Sequence, residues 1–210
     1  IVSRLGFLGH QTVVDNSRVL FNDIVNRTFT LSPDLIKPIL VTYVKNGGEE
    51  EYRNIKMLYE SVIDSSTAED GELRTNCLIA IGYVTNNNLV NDCLDYIFKS
   101  EQVRSQDVLK PLIGLCNGRK VKIVWDYFVS NWDLLIRKYK NGHFIFGKMI
   151  CTPIMVMYYR TWLNDVKQFL DNNREVYDDI KMSVEQAFEK AIDKIKWYER
   201  DNIEINNYFS

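Results

Sequence analysis

The sequence predicts an all-α fold. Three observations carry that prediction. Apolar residues step by three and four along nearly the whole chain, the period of a helix with one buried face. No stretch of six or more residues alternates apolar with polar, as a half-buried strand would. Only 10 of the 210 residues are Gly and 4 are Pro, well below the roughly 12 % that the pair averages. Sandwiches and barrels need many tight turns, so long elements and few turns follow.

The helical stripes can be read in order. Val13, Ser17, Leu20, Phe21 and Ile24 make the first. Ile36, Ile39, Leu40 and Tyr43 make the second, opened by Ser32-Pro33-Asp34. There Ser is expected as the N-cap and Pro at the first helical position. Tyr52, Ile55, Leu58, Tyr59 and Val62 follow, then Leu73, Cys77, Ala80, Ile81 and Val84. Leu89, Cys93, Leu94 and Ile97 come next, then Val108, Leu112 and Leu115. Ser105-Gln106-Asp107 is expected to cap that last helix and to place a carboxylate in its first turn, where the helix dipole favours it. Val121, Val124, Trp125 and Phe128 form another stripe. The final one runs through Val176, Ile180, Val184, Ala187, Ala191, Ile195 and Tyr198, more than five turns on one face.

Asn-Gly pairs stand at 46–47, 117–118 and 141–142. Each follows a three-and-four pattern, so each is expected to end a helix with Gly in the left-handed conformation. Gly47, Gly82 and Gly118 are 35 and 36 residues apart, close to the period of helix-pair repeats. About ten consecutive helices with short turns point to a stacked α-solenoid, with a compact bundle as the alternative. No Pro/Ser-rich linker divides residues 1–210, so one domain is expected. The chain begins with Ile inside a patterned segment and reads as a fragment of a larger protein.

Composition excludes several function classes. There are 26 Lys and Arg against 28 Asp and Glu, and the pI is near 5.8. Nucleic acid is therefore not expected as a partner, because phosphate binding needs a concentrated positive field. The longest apolar run, Met149–Tyr159, is interrupted by Pro153 and falls short of the roughly 18 residues of a spanning helix. No membrane partner is expected. Cys77, Cys93, Cys116 and Cys151 lie 16, 23 and 35 residues apart among apolar neighbours. That spacing suits buried free thiols in a reducing compartment, not a zinc site. The two histidines, His10 and His143, carry no catalytic pattern, and His143 is expected to start a helix. H-E-x-x-H, G-x-S-x-G, P-loop and G-x-G-x-x-G motifs are all absent. No catalytic residue and no metal ligand is therefore assigned in this chain.

Charge is unevenly spread. Residues 103–140 hold eight Lys or Arg and three Asp, a net of +5. Residues 165–204 hold eleven acids and seven bases, a net of −4. Solvated helix faces explain such runs, and a basic inner surface for carboxylates of a peptide or an acidic neighbour domain is the functional alternative.

One stretch is more specific than periodicity. It reads Val103-Arg104-Ser105-Gln106-Asp107-Val108, then Asn117-Gly118-Arg119, then Trp125, Phe128 and Asn131-Trp132-Asp133. This resembles the C-terminal helical domain of zinc aminopeptidases of the aminopeptidase N and puromycin-sensitive type, which include the archaeal tricorn-interacting factors. Leu5-Gly6-Phe7, the Tyr52 to Tyr59 segment, Glu72-Leu73-Arg74 and Ala80-Ile81-Gly82 agree with the family's patterns, as does Ile195-Lys196-Trp197. The ending Tyr208-Phe209-Ser210 departs from the family's W-L close. Val121-Lys122-Ile123-Val124 also departs, because small residues are usual there.

The resemblance implies an α-α superhelix of HEAT/armadillo-like helix pairs. It implies the C-terminal domain of a cytoplasmic metallopeptidase that removes N-terminal residues from peptides, with this domain forming a cavity wall, aiding closure and contacting peptide. Zinc would belong to the intact enzyme and no cofactor to this chain. The implied partners are the enzyme's own catalytic domain, peptide substrates and a larger protease assembly. A free-standing helical-repeat scaffold that binds other proteins is the alternative. Arg104, Gln106 and Arg119 are the candidate substrate-binding residues, since a guanidinium fork can pair with both oxygens of a peptide carboxylate. Gln106 and Asp107 are expected in a helix first turn, where capping and helix–helix hydrogen bonding explain them. Trp125, Phe128 and Trp132 have the spacing of a helix core, not of a ligand box.

Overall fold

The structure is a computed structural model. It describes residues 1–28, 30, 32–117 and 120–209, with the backbone alone at 143, 175, 177, 203, 204, 206, 207 and 209. Among the described residues all regular structure is helical, and the chain divides into two compact units, Ile1–Asn117 and Gly118–Ser210.

The first unit contains α1 (Val2–Phe7), α2 (Gln11–Val25), α3 (Ile36–Lys45), α4 (Glu49–Ser61), α5 (Ala68–Ile81), α6 (Asn87–Lys99) and α7 (Leu109–Leu115). Each follows one of the three-and-four stripes except the short α1. Helix α3 packs against α1, α2 and α5, while α5 packs against α4 and α7 as well. The stripe residues Leu40, Ile55, Cys77, Ile81, Leu94 and Leu112 are fully buried. Each large aliphatic side chain so buried contributes about 1.5–3 kcal/mol. Phe21 stacks on Tyr43 at 4.2 Å between ring centroids, joining the first two stripes.

The Asn-Gly pairs at 46–47 and 141–142 follow helix ends as expected, but without the expected conformation. Gly47 and Gly142 do not take the left-handed conformation, and among the described glycines only Gly9 does, at φ 76°. Gly118 lies outside the described residues. Gly47 instead lies under the Glu51 side chain, whose carboxylate accepts the Gly48 N–H at 2.7 Å and caps α4. A Cβ on Gly47 would sit 2.4 Å from Glu51 Cγ. At Gly82 the reason is helix contact. A Cβ there would fall 2.1 Å from the Pro111 carbonyl oxygen, and one on Gly114 would fall 2.8 Å from the Gly82 backbone. The end of α5 therefore meets α7 backbone to backbone. Gly47 and Gly82 are not equivalent positions of a repeat.

The expected serine caps are also not made. Pro33–Leu35 and Ser105–Asp107 are single 3₁₀ turns that lead into α3 and α7. The Ser32 side chain makes no cap bond, and Ser105 lies inside its turn. Both segments still mark helix entries. A tighter i to i+3 turn satisfies the first backbone groups in place of a side chain.

The second unit contains α8 (Lys120–Ser130), α9 (Trp132–Tyr139), α10 (His143–Val156), α11 (Arg160–Asn172), α12 (Arg174–Tyr177) and α13 (Lys181–Phe209). His143 starts a helix, as expected. Ile180, Val184, Ala187, Ala191 and Ile195 form the buried stripe of the last elements, and α13 packs mainly on α10. Pro153 does not interrupt α10 but lies inside it. Its missing N–H removes one rung of the helix. Burial of Met149, Ile150, Cys151 and Ile154 around it holds the segment helical.

Candidate functional site

Arg104 and Gln106 belong to one exposed bracket. Val103 and Val108 are buried at 2 % and 0 % exposure, pinning both ends of the 3₁₀ turn into the core. The residues between them, Arg104, Ser105 and Gln106, are left in solvent. The turn closes through the Asp107 N–H, which donates to the Arg104 carbonyl at 2.8 Å.

Three side chains hold the bracket from below. Tyr59, on α4, is almost wholly buried, and its hydroxyl donates to the Gln102 carbonyl at 2.8 Å. Burial raises its pKa, the negative charge of Asp107 adds to that, and Arg74 and Arg104 oppose it. Asp107 turns inward and pairs with Lys110 at 2.8 Å. Lys110 in turn donates to the Thr75 hydroxyl on α5 at 3.1 Å. Tyr59, Asp107 and Lys110 therefore fix the backbone from which Arg104 and Gln106 project. Arg119, the third candidate, lies outside the described residues. Of the three expected site residues the structure brings together two.

Sequence reasoning missed the role of Arg74. Its guanidinium donates to the carbonyls of Val62, Ile63 and Ser65 at 3.0, 2.8 and 3.2 Å. These follow the end of α4, where helix carbonyls lack internal partners. The same corner holds Asp70, which accepts from Ser65 at 2.6 Å and from Arg27. Arg27 sits in the left-handed region at φ 59°, uncommon for a non-glycine residue. The signal for Arg74 was its place four residues after Asp70, but which carbonyls it would reach depends on the fold of the 62–67 turn.

The chemistry available is recognition. An exposed guanidinium beside an exposed carboxamide can hold a carboxylate and a peptide group. All four cysteines are buried free thiols. Burial pushes the Cys151 thiol up to about 11, with Lys190 opposing, and Cys77 higher still. Neither is a thiolate at neutral pH. Among the described residues no three His, Cys, Asp or Glu side chains converge to hold a metal ion. No described helix is long and apolar enough to cross a membrane. Trp125, Phe128 and Trp132 are buried at 3 %, 0 % and 7 % exposure, as core spacing requires.

Comparison with known proteins covers the stretch of chain that holds these residues. The chain matches the ERAP1-like C-terminal domain family over residues 1–196. It is 25 % identical to human (Homo sapiens) aminopeptidase N over 183 residues, which is 86 % of this chain and 18 % of that protein. It is 24 % identical to the puromycin-sensitive aminopeptidase of Caenorhabditis elegans over 144 residues, 68 % of this chain and 15 % of the relative. Aminopeptidase A of Gloydius brevicauda is 26 % identical over 196 residues, covering 90 % of this chain and 19 % of the relative. The chain thus spans less than a fifth of the length of the curated relatives it matches. The match takes in the buried valines around Arg104, the Tyr59 anchor and the tryptophan core together, and the chain belongs to the ERAP1-like C-terminal domain family.

Proposed function

We propose that this chain serves as the C-terminal domain of a zinc aminopeptidase that removes N-terminal residues from peptides. The observation that carries the reading is the family match over residues 1–196, with relatives that are aminopeptidases several times longer. The described residues do not fit a zinc site, so in this reading the metal is held by the enzyme's own catalytic domain. This domain would form part of the cavity wall and aid closure. Arg104, Gln106 and Arg119 would contact the carboxyl end of longer peptides. A larger protease assembly is a further partner in this reading. Four free buried thiols suit a reducing compartment, so we place the enzyme in the cytoplasm.

The test uses the intact enzyme. Arg104→Ala and Arg119→Ala should raise KM for peptides of eight or more residues while leaving dipeptide amides nearly unchanged. A charge-assisted contact of this kind is worth about 1.5–3 kcal/mol, so KM should rise about tenfold or more. Equal effects on short and long substrates would remove these residues from peptide contact. Stoichiometric zinc and turnover by this chain alone would sink the division of labour.

A further inference from the structure

A second site is carried by the second unit, independent of the peptidase reading. Helix α8 presents Trp125, Asp126 and Lys122 on one face, and α11 presents Trp162, Asp165 and Phe169 on one face. Each set follows the i, i+3, i+4, i+7 spacing of a helical stripe. Between the two faces lies a recess of about 220 Å3 lined by these six side chains and Val129.

The lining has a definite chemical character. Trp125, 3 % exposed, is the floor. Phe169 stands edge-on to it at 5.9 Å and 90°. Trp162 is half-buried, and its ring makes edge contacts with Tyr159 at 4.7 Å and Tyr158 at 5.3 Å. Those two rings restrict how Trp162 can move, so little freedom is lost when something packs on it. Three aromatic rings therefore meet in one place, and ring faces carry negative potential.

The charges point the same way. Lys122 is paired with Asp126 across one helical turn, so the two together add no net charge. Asp165 is exposed on the same rim and adds a negative charge. One cation and two carboxylates leave the lining negative. Aromatic faces with a net negative rim recognise organic cations. A guanidinium fits this lining better than an ammonium. It is planar, more weakly hydrated and stacks on indole while its fork binds a carboxylate.

We propose that this recess is a binding site for a guanidinium group, stacked against Trp162 and paired with Asp165. The group can come from a small alkylguanidinium or from an arginine side chain within a polypeptide, and the test separates the two.

The full 210-residue chain is titrated with methylguanidinium, with N-acetylarginine amide and with its neutral isostere N-acetylcitrulline amide. Tryptophan fluorescence reports occupancy and calorimetry confirms it. Saturable binding of a guanidinium ligand, with none by the citrulline compound, is the expected result. Binding of both cations marks the guanidinium group as sufficient. Binding of the arginine amide alone assigns the site to a polypeptide side chain. Asp165→Asn should weaken binding about fivefold or more, Trp162→Ala about tenfold or more, and 0.5 M salt should weaken it further. Asp165 is a surface residue, so its variant keeps the fold, and far-UV circular dichroism with a thermal melt checks both variants. Equal binding of the citrulline compound overturns the proposal. So does unchanged affinity in Asp165→Asn, or no saturation by either guanidinium ligand.

Discussion

The buried hydroxyl of Tyr59 donates to the main-chain carbonyl of Gln102 at 2.8 Å, across 43 residues of sequence. This bond fastens α4 to the loop that carries Arg104 and Gln106. Tyr59→Phe removes only the oxygen, so the ring packing survives. We expect a loss of about 1 kcal/mol in urea unfolding. Amide exchange at Asp107, whose N–H closes the turn on Arg104, should quicken. An unchanged midpoint with unchanged exchange would show that the valines and the Asp107–Lys110 pair hold the loop without the Tyr59 bond.

Arg74 serves three carbonyls after the end of α4. Arg74→Met keeps most of the aliphatic stem and deletes the donors. The expected cost is about 2 kcal/mol, because hydrogen bonds to a charged group are worth about 1.5–3. Exchange should quicken first at residues 62–67. A variant as stable as the parent would mean that water replaces the guanidinium at no cost.

Two glycines of the same helix region make opposite predictions. Gly82→Ala drives a methyl to 2.1 Å from the Pro111 carbonyl oxygen, and backbone cannot step aside cheaply. A loss of about 3 kcal/mol or failure to fold is expected, at the upper end of overpacking costs. Gly71→Ala, in the same α5, meets nothing closer than Arg74 at 3.7 Å. It should stabilise by about 0.5–1 kcal/mol through helix propensity. Thermal melts of the two variants moving in the same direction would contradict the α5–α7 backbone contact.

Asp70 gives a pH dependence. Hydrogen bonds from Ser65, then Arg27, and the link to Thr67 hold its carboxyl at about 2. The unfolded carboxyl titrates near about 4. The folded pKa is the lower one, so the unfolded chain binds the proton more tightly. The stabilisation is complete above about pH 4 and is lost as pH falls through about 2. Asp70→Asn should flatten stability against pH in that window and leave the slope above pH 5 unchanged. A slope between pH 4 and pH 2 identical to the parent's would mean that Asp70 titrates normally.

Most of the helices were legible because burial follows the period of the backbone. Ile55, Leu58 and Tyr59, or Ala187, Ala191 and Ile195, can be read directly as the inner face. Helices α9, α10 and α11 were not separated in the sequence. In α10 apolar residues surround the axis, so no stripe stands out, and Pro153 looked like a break. The helix-ending positions of the glycines were legible, but the reason for Gly there was not. A turn and a close crossing both select Gly, and only the partner, such as Pro111 facing Gly82, tells them apart. The helix entry that carries Arg104 and Gln106 was legible from Ser105-Gln106-Asp107. The Tyr59 anchor was not, because a contact across 43 residues leaves no local pattern. The Trp162 recess draws on two helices that are 40 residues apart at Lys122 and Trp162, with the same difficulty.

The cysteines turn the two units into separately countable reporters. Cys77, Cys93 and Cys116 lie in Ile1–Asn117, and Cys151 alone lies in Gly118–Ser210. All four are shielded from solvent, so an alkylating reagent can reach them only when their surroundings open. Under mild denaturant, intact-mass spectra gaining three adducts at once record opening of the first unit, and single additions record the second. The chain thus carries its own clock for which half loosens first, with no label to install and no native residue to replace.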